Sequence, residues 1–122
     1  MTRHFGTAMV EEGVPYTEED IRAAAEAQGV ELREGDVVLF HSNWLELLDG
    51  ENADPARFAA AEPGLGVSGA EYLASLGVMA VGADTWGMEV VPAEPRGRRS
   101  VRTRSCKPIT VSTSLKTWTL VN

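Results

Sequence analysis

The regular spacing of apolar residues that a folded core requires stops abruptly after Glu94. Before that point apolar side chains recur with helix or strand periodicity, whereas residues 95–122 are rich in Ser, Thr, Arg and Lys. A segment of this composition buries little apolar surface, so the core has to be built from what precedes it. We expect one folded domain at residues 1–94 and a basic tail at residues 95–122.

The tail has the character of a coding sequence translated in the wrong frame. Back-translation of residues 101–122, read from the third base of each codon, permits PHQELQAHHGLHLAENLDLGE, an ordinary amphipathic ending. Part of this reading is nearly forced, because Trp118 has a single codon and must give Asp with Thr119. We interpret the tail as frameshifted and non-native. The alternative is that residues 95–122 are a disordered extension whose Arg and Lys side chains bind an anionic partner.

Composition restricts the remaining possibilities. The chain of 122 residues has the length of one small domain, and its net charge of −7 argues against nucleic acid as a partner of the whole chain. Cys106 is the only cysteine, which excludes an internal disulfide and indicates a cytoplasmic protein. No run reaches the roughly 18 apolar residues of a membrane span, so we expect no membrane partner.

The first half of the domain predicts a helix followed by a buried strand. Thr17 and Asp20 form a capping-box pattern at the start of a helix over residues 17–28, which Gly29 ends. Residues 36–41 are apolar and β-branched, which is typical of a strand buried on both faces. A short helical piece at residues 55–61 and a turn at residues 63–66 follow.

The second half of the domain predicts another helix followed by another strand. Ser68 and Glu71 form another capping-box pattern, and the helix they begin ends at Gly77. Residues 78–84 then predict a second buried strand. A right-handed crossover makes the two strands parallel neighbours, so the fold class is α/β with a small, mostly parallel sheet and flanking helices.

Three blocks carry a resemblance to a known family. They are ELREGDVVLFHSNW at residues 31–44, EPGLG at residues 62–66 and GVMAVGADTW at residues 77–86. In this order and spacing they resemble the middle of the cyclase family of metal-dependent hydrolases, which includes the bacterial kynurenine formamidases (arylformamidases) of tryptophan catabolism. The similarity covers about residues 16–94.

The resemblance implies a swivelling α/β fold, here a partial one, and hydrolysis of a small-molecule amide such as an N-formyl aryl amine. The nucleophile would be water activated by zinc or another divalent metal, which lowers the pKa of bound water and polarises the carbonyl. It also implies a homo-oligomer, which leaves open a site completed across a subunit interface.

The family's metal ligands are not matched in this chain. Its main motif is H-x-G-T-H-x-D-x-P-x-H. Residues 4–7 repeat the start of it, but Ala8 and Val10 stand where the second His and the Asp belong. The remaining ligands, a His and a Glu in the form H…ENL, occur only in the shifted frame of the tail. We expect truncation and frameshift to remove the metal site, so that this chain binds no metal and is inactive as translated.

The candidate substrate-binding residues are Trp44, Thr85 and Trp86, which follow the two strands, and Asp84, which ends the second strand. Open α/β sheets bind ligands at these strand ends, so the tryptophans could line a pocket for an aromatic group; ordinary rim packing is the alternative. Asp84 could orient a substrate or accept a hydrogen bond from a metal-bound His, or simply cap a turn. A non-catalytic ligand-binding or interaction module remains the alternative function.

Overall fold

The computed structural model describes residues 1–51, 53–94 and 118–121, the last for the backbone alone. The helices are α1 Thr2–Phe5, α2 Glu18–Ala27, α3 Glu46–Asp49, α4 Pro55–Ala60 and α5 Val67–Leu76. The strands are β1 Pro15–Tyr16, β2 Val37–Phe40, β3 Gly64–Leu65, β4 Ala80–Ala83 and β5 Trp118–Val121. Across these described residues, no helix is both long enough and apolar enough to cross a membrane.

Two small parallel sheets organise the molecule. In the larger one the strand order is β4-β2-β5, and Val37 pairs with Ala80 while Phe40 pairs with Ala83. The smaller sheet joins β1 to β3, with Pro15 opposite Gly64. The predicted α/β class and the parallel pairing of the two main strands are therefore confirmed.

The tail contributes one described element. The backbone of Trp118–Val121 forms β5, which pairs in parallel with β2. Residues 95–117 and Asn122, to which most of the frameshift hypothesis applies, lie outside the described residues. The division into a domain and a non-native tail stays a prediction.

Helix α2 forms as its sequence predicts. The Thr17 side chain accepts a hydrogen bond from the Asp20 backbone, and the Asp20 side chain accepts one from the Thr17 backbone, which completes the capping box. The helix buries Ile21, Ala24 and Ala25 in a core that also includes residues of β2 and α5. This reciprocal cap satisfies backbone donors that would otherwise lack partners at the start of the helix.

Helix α5 packs against α2 and approaches the end of β1 at very short range. A Cβ at Gly69 would lie 2.1 Å from the Tyr16 carbonyl oxygen, so only glycine permits this approach. Leu73 is buried, and Tyr72 and Leu76 pack at the edge of the core. Gly77 ends the helix in the left-handed conformation, at φ 72°.

The second predicted capping box is wrong. The N-cap of α5 is Gly66, so Ser68 lies inside the first turn rather than before it. Its hydroxyl instead accepts from the Glu18 backbone N–H at 3.3 Å, while Glu94 Oε2 accepts from the Val67 N–H at 2.7 Å. A carboxylate distant in sequence has replaced the local cap.

Two further expectations need correction. Residues 63–66 do not form only a turn, because they contain β3, whose partner β1 is distant in sequence. Strand β4 is half-buried along its whole length rather than buried on both faces, whereas most of β2 is buried. Among the described strands β4 stands at the edge of its sheet, which explains its exposure.

Candidate functional site

The carboxyl ends of β2 and β4 define the candidate site. Because the strands are parallel and Phe40 is in register with Ala83, the residues that follow them emerge side by side. Those residues are His41 and Ser42 after β2, and Asp84 and Thr85 after β4. Ligand sites of open parallel sheets occur at this edge.

Asp84 connects the two strand ends. Its Oδ1 accepts hydrogen bonds from the Ser42 backbone N–H at 2.8 Å and from the Ser42 hydroxyl at 2.6 Å. The His41 Nε2 lies 4.0 Å from Oδ2, and the Asp84 side chain is 13% exposed. Two donors therefore hold the carboxylate in one orientation. Since the Ser42 proton is committed to Asp84, Ser42 is not arranged as a nucleophile activated by His41.

The sequence did not single out Tyr16, the first of two buried polar residues near this cluster. Tyr16 is 1% exposed, and no described residue offers its hydroxyl a well-formed hydrogen bond. Burial raises the pKa of Tyr16 above its usual value, with the nearby Ser42 hydroxyl opposing this shift and the negative charges of Asp84 and Glu62 adding to it. The tyrosine therefore stays protonated as a neutral donor.

Glu62 is the second of these residues. It is 1% exposed, and its Oε2 accepts from the Gly87 backbone N–H at 3.0 Å. Burial raises the pKa of Glu62, while hydrogen bonds from the Gly87 and Trp86 backbone act in the opposite direction. In the sequence, Glu62 was distinguished only by its position directly before Pro63 and Gly64, in the block at residues 62–66 that carried the resemblance.

The structure separates the two predicted tryptophans. Trp86 is 56% exposed, whereas Trp44 is fully buried, with no described partner for its indole N–H. Trp44 therefore lies in the core, with the Arg57 guanidinium 5.3 Å from the centre of its ring. Thr85 donates its hydroxyl proton to the Gly87 carbonyl oxygen at 2.7 Å, which shapes the loop that presents Trp86.

The residues present do not fit the metal that the resemblance implies. No three side chains of His, Cys, Asp or Glu come together as a metal site within residues 1–51, 53–94 and 118–121. The histidines pair separately, His4 with Asp20 at 2.9 Å and His41 with Asp84. Residues 95–122 contain no His, Asp or Glu, and Cys106 lies outside the described residues.

A separate cleft of about 700 Å³ lies beside α3 and α4. Its lining combines apolar side chains with a majority of charged ones: Met9, Leu45, Leu47, Glu46, Asp49, Glu51, Asp54 and Arg57, together with Gly50. None of the residues of the strand-end cluster lines it. The cleft is therefore distinct from the candidate site.

Comparison with protein families identifies the family of this chain. The family model described as Putative cyclase matches residues 3–90. The chain belongs to the cyclase family. The match includes β2, β4 and every residue of the strand-end cluster, and it stops before the basic tail. Searches of curated proteins and of solved structures gave no match. The cyclase assignment thus rests on the family model and on the three sequence blocks within it.

Proposed function

We propose that this cyclase-family chain has the fold of a metal-dependent amide hydrolase of the arylformamidase type, but is inactive as translated. Membership of the family supports the first half of the proposal. The second half rests on one observation: no three His, Cys, Asp or Glu side chains among the described residues come together as a group that could hold a metal ion. Zinc and other divalent cations therefore have no ligand set among these residues.

The strand-end cluster and Trp86 support the substrate half of the proposal. Trp86 offers an exposed aromatic face beside β4, and Asp84 is held by two hydrogen bonds from Ser42. An aryl ring could stack on the indole, while Asp84 Oδ2, which lies 4.0 Å from the His41 Nε2, could accept a hydrogen bond from an amide N–H. The proposed ligand is accordingly a small N-formyl aryl amide.

A second candidate function follows from the same geometry. A non-catalytic module would need only the exposed Trp86 and the oriented carboxylate, without any metal. We propose this binding role as the alternative, in the cytoplasm and with self-association of the chain. Light scattering on the purified protein tests the association, and hydrolysis that rises with added metal would exclude this alternative.

The decisive experiment measures hydrolysis and binding in parallel. Formanilide is incubated with the full chain in the presence and absence of Zn²⁺ or Mn²⁺, and release of aniline is followed. We expect no turnover above the metal blank, but a saturable change in tryptophan fluorescence that Trp86→Ala abolishes. Hydrolysis that rises with added metal in proportion to protein concentration would contradict the proposed inactivity.

A further inference from the structure

Residues 62–65 and residues 88–91, next to the candidate site, are joined through backbone hydrogen bonds. Glu62 and Val91 exchange two N–H to carbonyl hydrogen bonds of 3.0 Å each. The Leu65 N–H donates to the Met88 carbonyl at 2.7 Å, and the Val90 N–H donates to the Leu65 carbonyl at 3.3 Å. We call residues 62–66 together with residues 84–91 the strap. These bonds fix the backbone on the carboxyl side of the Trp86 loop, and the pairing of β4 with β2 fixes it on the other side.

The two segments of the strap pack closely against each other. A Cβ at Gly64 would lie 2.8 Å from both the Met88 carbonyl oxygen and the Glu89 carbonyl carbon. These are backbone atoms, which cannot rotate away as a flexible side chain would. These contacts oppose movement of one segment relative to the other, and they do not include the tip of the strap, around Thr85, Trp86 and Gly87.

The Glu62 side chain contacts this tip. Its carboxylate is buried and accepts from the Gly87 N–H at 3.0 Å, on the residue next to the exposed indole. A Cβ at Gly87 would lie 2.5 Å from Glu62 Oε1, so the loop backbone rests directly on the carboxylate. Burying a carboxylate is costly, and packing alone would be met by an amide or an apolar side chain. A carboxylate at this position gives the Gly87 N–H a directed acceptor, and such a hydrogen bond is stronger when the acceptor is ionised.

We propose that Glu62 is a positioning residue that holds the Trp86 loop in the conformation needed to stack on the aryl ring of the ligand. This inference rests on the proposed function, because it assumes that Trp86 meets an aryl amide. Glu62 itself does not touch the ligand, since it is 1% exposed. It acts through the backbone of Gly87 and so determines affinity for the aromatic part of the ligand.

The test is a double-mutant cycle on the full chain. Glu62→Gln keeps the size of the side chain and removes its charge, and Trp86→Leu removes the ring; the double variant completes the cycle. Glu71→Gln makes the same chemical change on an exposed carboxylate of α5 and serves as the matched control. Formanilide affinity and acrylamide quenching of tryptophan fluorescence are measured for each protein, with circular dichroism to confirm folding.

We expect Glu62→Gln to weaken formanilide binding roughly three- to tenfold, the range for losing a charge-assisted hydrogen bond that acts indirectly. It should also change the quenching of Trp86, with no further loss of affinity in the Trp86→Leu background. Glu71→Gln should leave both readouts unchanged.

Two outcomes would overturn the inference. Additive losses in the cycle would show that Glu62 does not act through Trp86. Unchanged Trp86 quenching in a folded Glu62→Gln protein would show that the loop does not depend on the charge. If the wild type binds no formanilide, the proposed function fails, and the quenching comparison still decides whether Glu62 positions the loop. Should Glu62→Gln not fold, Glu62→Asp, which keeps the charge on a shorter side chain, takes its place with the same readouts.

Discussion

The strap and the segment formed by α3 and α4, which we call the arm, are held in opposite ways. The strap is joined by backbone hydrogen bonds and by a buried carboxylate. The arm is attached through Arg57, which forms exposed ion pairs with Glu11, at 2.9 Å, and with Glu12, and which also lies over the buried Trp44 ring. Both segments flank the core, but only the strap belongs to the candidate site.

The difference shows where this small domain concentrates its rigidity. A buried hydrogen bond to a charged group contributes about 1.5–3 kcal/mol, whereas an exposed ion pair contributes roughly 0–1 kcal/mol and weakens in salt. The arm carries exposed Leu45 and Leu48 beside its cleft and has few buried anchors besides Leu47 and its contact with Trp44. We therefore expect the arm to open before the strap does.

The largest effect should come from Gly64→Val in the strap. The added side chain meets backbone atoms at 2.8 Å, so we expect a loss of about 2–3 kcal/mol in the free energy of unfolding, typical of overpacking. Urea denaturation measures it. Gly82→Ala in β4 is the control, because there the new Cβ meets only the movable Leu39 Cδ2. Equal losses in the free energy of unfolding for both variants would contradict the claim that the strap is packed more rigidly than β4.

A smaller effect should appear in the pH dependence, with opposite signs in the two segments. The pKa of Glu62 is raised by burial, so its folded form binds protons more readily than the unfolded chain. Its contribution to stability is therefore greatest below the unfolded pKa of about 4.5 and is lost as pH rises through the higher folded pKa. Hydrogen bonds from Arg57 lower the pKa of Glu12, so its contribution is present above about pH 4.5 and is lost as pH falls through the folded pKa.

Stability measured from pH 3 to pH 7 in Glu62→Gln and Glu12→Gln separates these contributions. Glu62→Gln should reduce the decline in stability toward neutral pH, and Glu12→Gln should reduce the decline toward acid. Added salt should suppress only the Glu12 effect, because that side chain is exposed to solvent. If stability depends on pH in the same way in both variants, the proposed difference between strap and arm is wrong.

The smallest effect is expected for Arg57→Met, which removes the ion pairs and the guanidinium over Trp44 but leaves an apolar side chain of similar length. We predict a loss below about 1 kcal/mol that disappears in high salt, as for other exposed pairs. Thermal melts at low and high ionic strength measure it, with Arg22→Met as a second exposed pair for comparison. A salt-independent loss of several kcal/mol would mean that the arm is anchored as firmly as the strap.

The parts of the fold that local sequence could specify were predicted well. The capping box of Thr17 and Asp20, the stop at Gly77 and the two parallel strands all formed where the pattern indicated. The second capping box failed because Glu94, distant in sequence, capped α5 and freed Ser68 to contact Glu18. A local pattern cannot report a competitor that arrives through tertiary folding.

The candidate site divides along the same line. Asp84, Thr85 and Trp86 follow a predicted strand, so their place at the sheet edge could be inferred from the chain alone. The burial of Trp44 and the presence of Tyr16 and Glu62 beneath the site could not, because each depends on segments that meet only in three dimensions. Glu62 in particular looks like an ordinary surface glutamate in the sequence, and only its contact with Gly87 gives it a role.

The sequence by itself determined the α/β class, the parallel strands, the cyclase family and the lack of a match to the family's metal motif. These depend on periodicity, caps and residue identity, which are local properties of the chain. Tertiary structure alone decided which carboxylates are buried, which tryptophan faces solvent and which loop rests on Glu62. Burial and charge interactions depend on distances between segments far apart in sequence, and those distances exist only after the chain has folded.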